Sequence, residues 1–177
     1  MNDTPLYEKA QAIKLAVFDI DGVMTDGSLY FTSLGDEIKA FNVKDGLGLK
    51  LLQQCDIKVG VITGRTSELV KRRVADLKLD FLIQGREDKR NALHEVATKL
   101  QISPQQIAYM GDDLPDLSAI LFAGLGVTVA DGNAMVLEHA DLVTTNNGGK
   151  GAVREFCDWL IDTQGKTQTV MEQFLNR

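Results

Sequence analysis

Short apolar runs alternate along the chain with longer segments in which apolar residues return every three or four positions. The runs are Lys14–Phe18, Lys58–Thr63, Phe81–Gln84, Ile107–Met110 and Gly126–Ala130. A strand that is apolar on both faces must be covered on both faces, which is the condition of a parallel sheet. Between the runs, segment 67–78 places Val70, Val74 and Leu77 on one helical face. Segment 91–101 does the same with Leu93, Val96, Ala97 and Leu100, and segment 114–123 with Leu117, Ile120 and Leu121. Ser103–Gln106 reads as a capped turn of helix before the next strand. This alternation predicts right-handed crossovers and a doubly wound, Rossmann-like α/β parallel sheet in a single domain spanning 1–177. Residues 28–41 break the rhythm: they alternate with period two on both sides of Leu34-Gly35-Asp36 and predict a projecting β-hairpin. Residues 166–177 are polar with scattered Val170, Met171, Phe174 and Leu175, and read as a loose tail or a docking segment.

Composition narrows the possible functions. A chain of 177 residues is long enough for one real core. The net charge of −6 argues against bulk electrostatic binding of nucleic acid or anionic membrane, though not against a small anion held by local cations. No apolar stretch has the length of a membrane span and the first residues lack a signal-peptide core, so a cytoplasmic location is the expectation. Cys55 and Cys157 lack metal-site spacing and read as reduced thiols. His94 and His139 both fall on helix-like segments, which leaves little room for histidine catalysis.

The candidate chemistry lies where the strands end. Ligands of open α/β sheets bind at the carboxyl ends of the strands. There the sequence places Asp19 and Asp21, then Thr63, then Asp112 with Asp113. Carboxylates from two strands that meet in one crevice suit a hard divalent cation, and Mg²⁺ takes one or two carboxylates together with water and phosphate oxygens. Residues two apart on an extended chain face one side, so Asp19 and Asp21 can address one substrate, one attacking and the other moving a proton. Asp26, next to Gly27, belongs to the start of the hairpin instead.

The series DIDGVMTDG, VITGR, a lysine in GREDKR, and GDDLPD resembles the four ordered motifs of haloacid dehalogenase-like phosphatases and spans nearly the whole chain. The resemblance implies that Asp19 is the phosphate-accepting nucleophile and Asp21 the general acid/base. It implies that Thr63 hydrogen-bonds the phosphoryl oxygens and that Lys89 neutralises charge. Mg²⁺ would be held by Asp19, Asp112 and the main chain of Asp21, with Asp113 and Asp116 supporting the site from behind. The intervals between motifs leave no room for a cap domain, so the family's minimal, capless form is expected.

FNVKDGLG, Arg65 in TGR, Lys71-Arg72-Arg73, Gly85-Arg86 and GGKGAVRE together resemble one branch of that family, the 3-deoxy-D-manno-octulosonate 8-phosphate phosphatases of lipopolysaccharide precursor synthesis. That branch is tetrameric, with hairpins packed centrally and active sites at subunit boundaries. It implies substrate contacts from Asp21, Asn42, Val43, Lys44, Asp45, Gly46, Lys50, Arg65, Arg73 and Lys89. At least one of Lys71, Arg72 and Arg73 should instead lie on a solvated helix face. The glycine-rich 148–151 stretch is expected at a helix entrance, and the C-terminal segment over a neighbour's active site. Three alternatives stand beside this one: an acylneuraminate 9-phosphate phosphatase of the same branch, a phospho-accepting receiver module, and a catalytically dead structural oligomer, which predicts the loss of one of the four motifs although none is lost. The receiver lacks a second aspartate two residues beyond the phosphorylated one, so Asp21 separates the classes.

Overall fold

The computed structural model describes residues 5–175. The chain opens with helix α1 (Pro5–Ala12) and enters the central strand β1 (Leu15–Phe18). A two-stranded antiparallel hairpin follows, β2 (Tyr30–Phe31) and β3 (Glu37–Ile38), then α2 (Val43–Gln54). Strand–helix units continue through β4 (Lys58–Ile62), α3 (Glu68–Leu77), β5 (Phe81–Ile83), α4 (Lys89–Leu100) and β6 (Ile107–Gly111). The chain ends with α5 (Leu114–Phe122), β7 (Leu125–Thr128), α6 (Ala134–His139), β8 (Leu142–Val143), α7 (Ala152–Thr163) and α8 (Thr167–Leu175).

The main sheet has six parallel strands in the order β5-β4-β1-β6-β7-β8. β1 alternates its side chains between two cores, which is why LAVF is apolar throughout. Ala16 and Phe18 pack with Leu49 and Leu52 of α2, Val70 and Val74 of α3, and Phe156 and Leu160 of α7. Leu15 and Val17 pack on the other face with Leu93 and Val96 of α4 and Ile120 of α5. Full burial of one such side chain contributes roughly 1.5–3 kcal/mol. The chain proceeds outward from β1 to β4 and β5, then returns to place β6 on the other side of β1. That reversal leaves a crevice at the carboxyl ends of β1, β4 and β6.

The expected strands and helices are present, with shifted ends. Segment 126–130 pairs as Leu125–Thr128, one residue earlier than its apolar run. The hairpin is shorter than 28–41: only Tyr30 with Ile38 and Phe31 with Glu37 are paired. Helix α7 follows the 148–151 stretch as expected of a helix entrance, whereas helix α1 and strand β8 were not among the expected elements. The described part of 166–177 is no loose tail, since Thr167–Leu175 forms α8 and Val170 packs against the first core. Its last two residues lie outside the described ones. Both cysteines are buried free thiols, which burial pushes above their ordinary pKa. Among the described residues no helix is long and apolar enough to cross a membrane.

Candidate active site

The crevice is built by the first residues beyond three adjacent strands. Asp19 directly follows β1 and is still tied to β6, its amide donating to the Met110 carbonyl at 2.9 Å. Thr63 directly follows β4, its amide donating to the Ile83 carbonyl at 2.9 Å, and its side chain is buried. Asp112 directly follows β6, and Lys89 opens α4 beyond β5. After Asp19 the chain turns tightly, with the Ile20 carbonyl accepting from the amides of Val23, Met24 and Thr25. Gly22 has φ +94°, and a Cβ there would lie 2.0 Å from Asp112 Oδ2, so glycine makes room for that carboxylate. The 148–151 loop packs on the same turn: Gly149 donates to the Val23 carbonyl at 2.9 Å, and a Cβ on Gly148 would lie 1.8 Å from the Gly22 carbonyl oxygen.

Asp19, Asp112 and Asp116 each offer one oxygen, all within 4.8 Å of one another. Lys89 Nζ lies 2.6 Å from Asp116 Oδ1 and 3.1 Å from Asp19 Oδ1. Asp116 Oδ1 also accepts from the buried Tyr109 hydroxyl at 2.7 Å, and its Oδ2 accepts from the Asp112 and Asp113 amides at 3.3 and 3.4 Å. Asp116 is therefore saturated by protein donors. Asp113 caps α5 with its side chain on the Leu114 amide, in a capping box with Asp116. Asp19 Oδ1 contrasts with these: among the described residues it has no well-aligned hydrogen bond.

Burial, reinforced by the Asp116 charge, pushes Asp19 up to about 7 despite the opposing Lys89 ammonium. Burial and the charges of Asp116 and Asp19 likewise push Asp112 up to about 7. Burial works against the charge on Lys89, yet Asp19 and Asp116 raise its pKa above the ordinary lysine value. Three carboxylates thus face one ammonium, and the buried Asp19 Oδ1 has only that shared ammonium beside it. An excess of buried negative charge is costly without a cation. Oxygen-only donors of this kind fit a hard divalent ion.

Asp21 lies in the turn rather than on a continued strand, and its carboxylate leaves the cluster. It accepts from Lys39 Nζ, and Arg65 Nε lies 3.7 Å from its other oxygen. Glu37 joins both cations, 2.9 Å from Arg65 Nη2 and 3.5 Å from Lys39 Nζ, and accepts from Ser67 Oγ at 2.9 Å. Burial opposes the charge on Glu37, but the Ser67 hydroxyl, Lys39 and Arg65 together hold its pKa below the ordinary value. Glu37, Lys39 and Ser67 were not among the residues expected from sequence. Their one signal is the i, i+2 spacing of two charges on the returning hairpin strand. Tyr109 was also missed, because within an apolar strand it reads as core.

The remaining expected contacts divide. Asn42 caps α2, its Oδ1 accepting from the Lys44 amide at 2.8 Å, and Val43 and Lys44 are exposed beside it. Arg73 donates to the Asn42 carbonyl at 3.2 Å and stacks on Phe41. Gly46 admits that guanidinium, since a Cβ would lie 2.3 Å from Arg73 Nη2. Lys71 and Arg72 are the solvated members of their triplet. Two of the expected residues, Lys50 and Asp45, are not brought to the crevice of this chain. Lys50 sits on the outer face of α2 beside Gln54, Leu77 and Lys78, away from the crevice of this chain. Asp45 is buried and faces α7, its Oδ1 accepting from the Arg154 amide at 2.8 Å and supplying the cap that Gly151 cannot. Asp45→Ala should cost about 0.5–2 kcal/mol as a lost cap, a fall in melting temperature of roughly 2–4 °C per kcal/mol for a domain of this size. KM should stay within about threefold, as expected of a change outside the binding contacts. Thermal melting and steady-state kinetics read the two effects separately.

The profile of the haloacid dehalogenase-like hydrolases matches residues 81–156. The 3-deoxy-D-manno-octulosonate 8-phosphate phosphatase of Escherichia coli is 46% identical over 158 residues, covering 89% of this chain and 84% of that protein. The chain belongs to this phosphatase family. Crystal structures agree with the assignment to these haloacid dehalogenase-like phosphatases. The Moraxella catarrhalis member, solved with magnesium ion, phosphate ion and a KDO molecule, superposes with a TM-score of 0.93 at 43% identity, covering 96% of this chain and 97% of the other. The cobalt-bound Haemophilus influenzae member superposes with a TM-score of 0.87 at 40% identity, covering 90% and 93%. Metal-bound relatives of this family are consistent with the fit of the neighbouring Asp19 and Asp112 carboxylates to a divalent cation.

Proposed function

We propose that the chain is a Mg²⁺-dependent phosphatase that hydrolyses 3-deoxy-D-manno-octulosonate 8-phosphate to the free sugar acid and inorganic phosphate. The observation that carries this reading is the buried Asp19 carboxylate, lying against Lys89 and beside Asp112 at the mouth of the sheet. An Asp19 oxygen attacks phosphorus, forming an aspartyl-phosphate as the bond to the sugar oxygen breaks. Asp21 gives the leaving oxygen its proton, then takes one from the water that cleaves the acyl phosphate. Thr63 donates to the phosphoryl oxygens, and Lys89 balances charge on Asp19 and the phosphoryl group. Asp19, Asp112 and the Asp21 carbonyl would hold Mg²⁺, with Asp113 and Asp116 fixing the β6 end beneath. The ion supplies neutralisation of the phosphoryl charge.

Arg65 and Arg73 offer guanidinium forks suited to the sugar carboxylate, and Asn42, Val43, Lys44 and Gly46 border them. The hairpin exposes Leu29, Tyr30, Phe31, Leu34 and Ile38, with Phe31 61% and Leu34 88% accessible. These exposed apolar side chains support burial of the hairpin in a homotetramer, with the active sites completed at subunit boundaries. A cytoplasmic location accords with a water-soluble sugar phosphate substrate.

Purified protein assayed against a panel of sugar-acid phosphates, with Mg²⁺ and with EDTA, should release phosphate fastest from the octulosonate ester and only with the metal. Preference for acylneuraminate 9-phosphate would reassign the substrate, and a long-lived phosphoprotein without turnover would favour the receiver class. Light scattering should give a tetramer's mass; an active monomer would remove the shared-site reading.

A further inference from the structure

The hairpin does more than expose an apolar edge. Its returning strand, Glu37–Ile38, and the residue after it send two charged side chains, Glu37 and Lys39, back toward the crevice, as i and i+2 positions on extended chain share one side. The Lys39 side chain is only 2% accessible, although it ends in a full charge. A buried ammonium needs partners, and it has two: the Asp21 carboxylate and Glu37 Oε1 at 3.5 Å. Ser67 stands at the start of α3 as its N-cap, yet its hydroxyl makes no capping bond and goes to Glu37 instead. A cap residue that forgoes its own helix marks a network with a competing purpose. Asp21, Lys39, Glu37, Arg65 and Ser67 therefore form one continuous chain of ion pairs and hydrogen bonds from β3 to the loop after β4.

We infer that Lys39 is a positioning residue for the proton-transfer carboxylate Asp21, and that Glu37 holds Lys39 and Arg65 at fixed separation. Asp21 sits in a turn beyond the end of β1, so the sheet does not fix its side chain. General acid–base catalysis requires the carboxylate within hydrogen-bond reach of the leaving oxygen. Lys39 restricts Asp21 to one orientation and balances its charge beside the Asp19–Asp112–Asp116 cluster. This assignment rests on the proposed phosphatase reading, in which Asp21 moves the proton.

The test is a double-mutant cycle on the full-length protein, with 3-deoxy-D-manno-octulosonate 8-phosphate and Mg²⁺. Lys39→Met keeps the aliphatic stem and removes the charge. It should lower kcat about 10- to 100-fold, a part of the 10²–10⁴ that a positioned acid/base contributes, and leave KM within about threefold. Lys39→Arg should recover part of kcat. In an Asp21→Asn background, Lys39→Met should cost less than about threefold more, because the group it positions is already gone. An equal loss in both backgrounds, or a loss confined to KM, would overturn the inference and make Lys39 a substrate ligand. Lys39→Gln is judged by the same two criteria if Lys39→Met does not fold. Failure of the wild-type protein to turn over the ester would instead count against the phosphatase reading.

Discussion

Asp19→Asn should lose at least about 10⁴-fold in kcat, as expected when a covalent nucleophile is removed from an otherwise intact site. The amide is nearly isosteric, so the buried position beside Lys89 stays filled. It is also neutral, and Asp19 is one of three clustered carboxylates whose mutual repulsion contributes to pushing two of them up to about 7. The metal-free variant should therefore melt no lower than the metal-free wild type. Activity and stability then move in opposite directions, a combination that misfolding cannot produce. Phosphate release and thermal melting on one preparation measure both. Residual turnover above roughly 1% of wild type would place the nucleophile elsewhere.

Metal-free protein should lose stability as pH rises from 5 to 8, and Mg²⁺ should restore it. Asp19 and Asp112 titrate near the ordinary value of 3.8 in the unfolded chain but at about 7 in the folded one, chiefly because of burial. Between those limits the folded state binds more protons than the unfolded state. Stability therefore declines with rising pH across that window and levels off above it. Asp45, raised by burial, acts in the same sense. Glu37 and Glu155 are held below 4.5 by their donors against burial, so their opposite contribution is confined to more acid solution. A cation present at about 100 times its dissociation constant adds about 2.7 kcal/mol, or roughly 5–10 °C for a domain of this size. The gain should be greater at pH 8 than at pH 5.5, where protons compete for the same oxygens. A melting temperature in EDTA that is flat over this range would show that the carboxylates are not forced together.

The crevice was legible because strands buried on both faces leave unbroken apolar runs, and Asp19, Thr63 and Asp112 follow those runs directly. Sequence could not show which carboxylates would be saturated by protein donors. Asp116 reads like any helix-start acid until Lys89 and Tyr109 are seen on it. Glu37 and Lys39 were obscured by the hairpin, where alternating charges read as a solvated face and only tertiary contact turns them inward. Asp45 is among the substrate contacts only because the resemblance carries Asn42–Gly46 over as one motif. On a helix of about 3.6 residues per turn, adjacent positions point about 100° apart, so Asp45 leaves the side of Gly46 and meets the Arg154 amide of α7. β8 is two residues long and carries no period. The apolar residues of α8 read as scattered because the cleft they line, with Leu47, Leu51 and Arg154, is formed by distant segments.

The strand order also imposes a schedule on synthesis. β1 emerges early, but in the finished sheet it lies between β4 and β6, and β6 is made long afterwards. A nascent chain that has reached β5 already contains Asp19, yet the three residues that surround it, Lys89, Asp112 and Asp116, are still to come. The reactive carboxylate therefore has no active surroundings until β6 has arrived and paired with β1, and such non-local parallel pairing is slow. Fragments ending before Gly111 would be inert toward phosphate esters, because they lack Asp112 and Asp116.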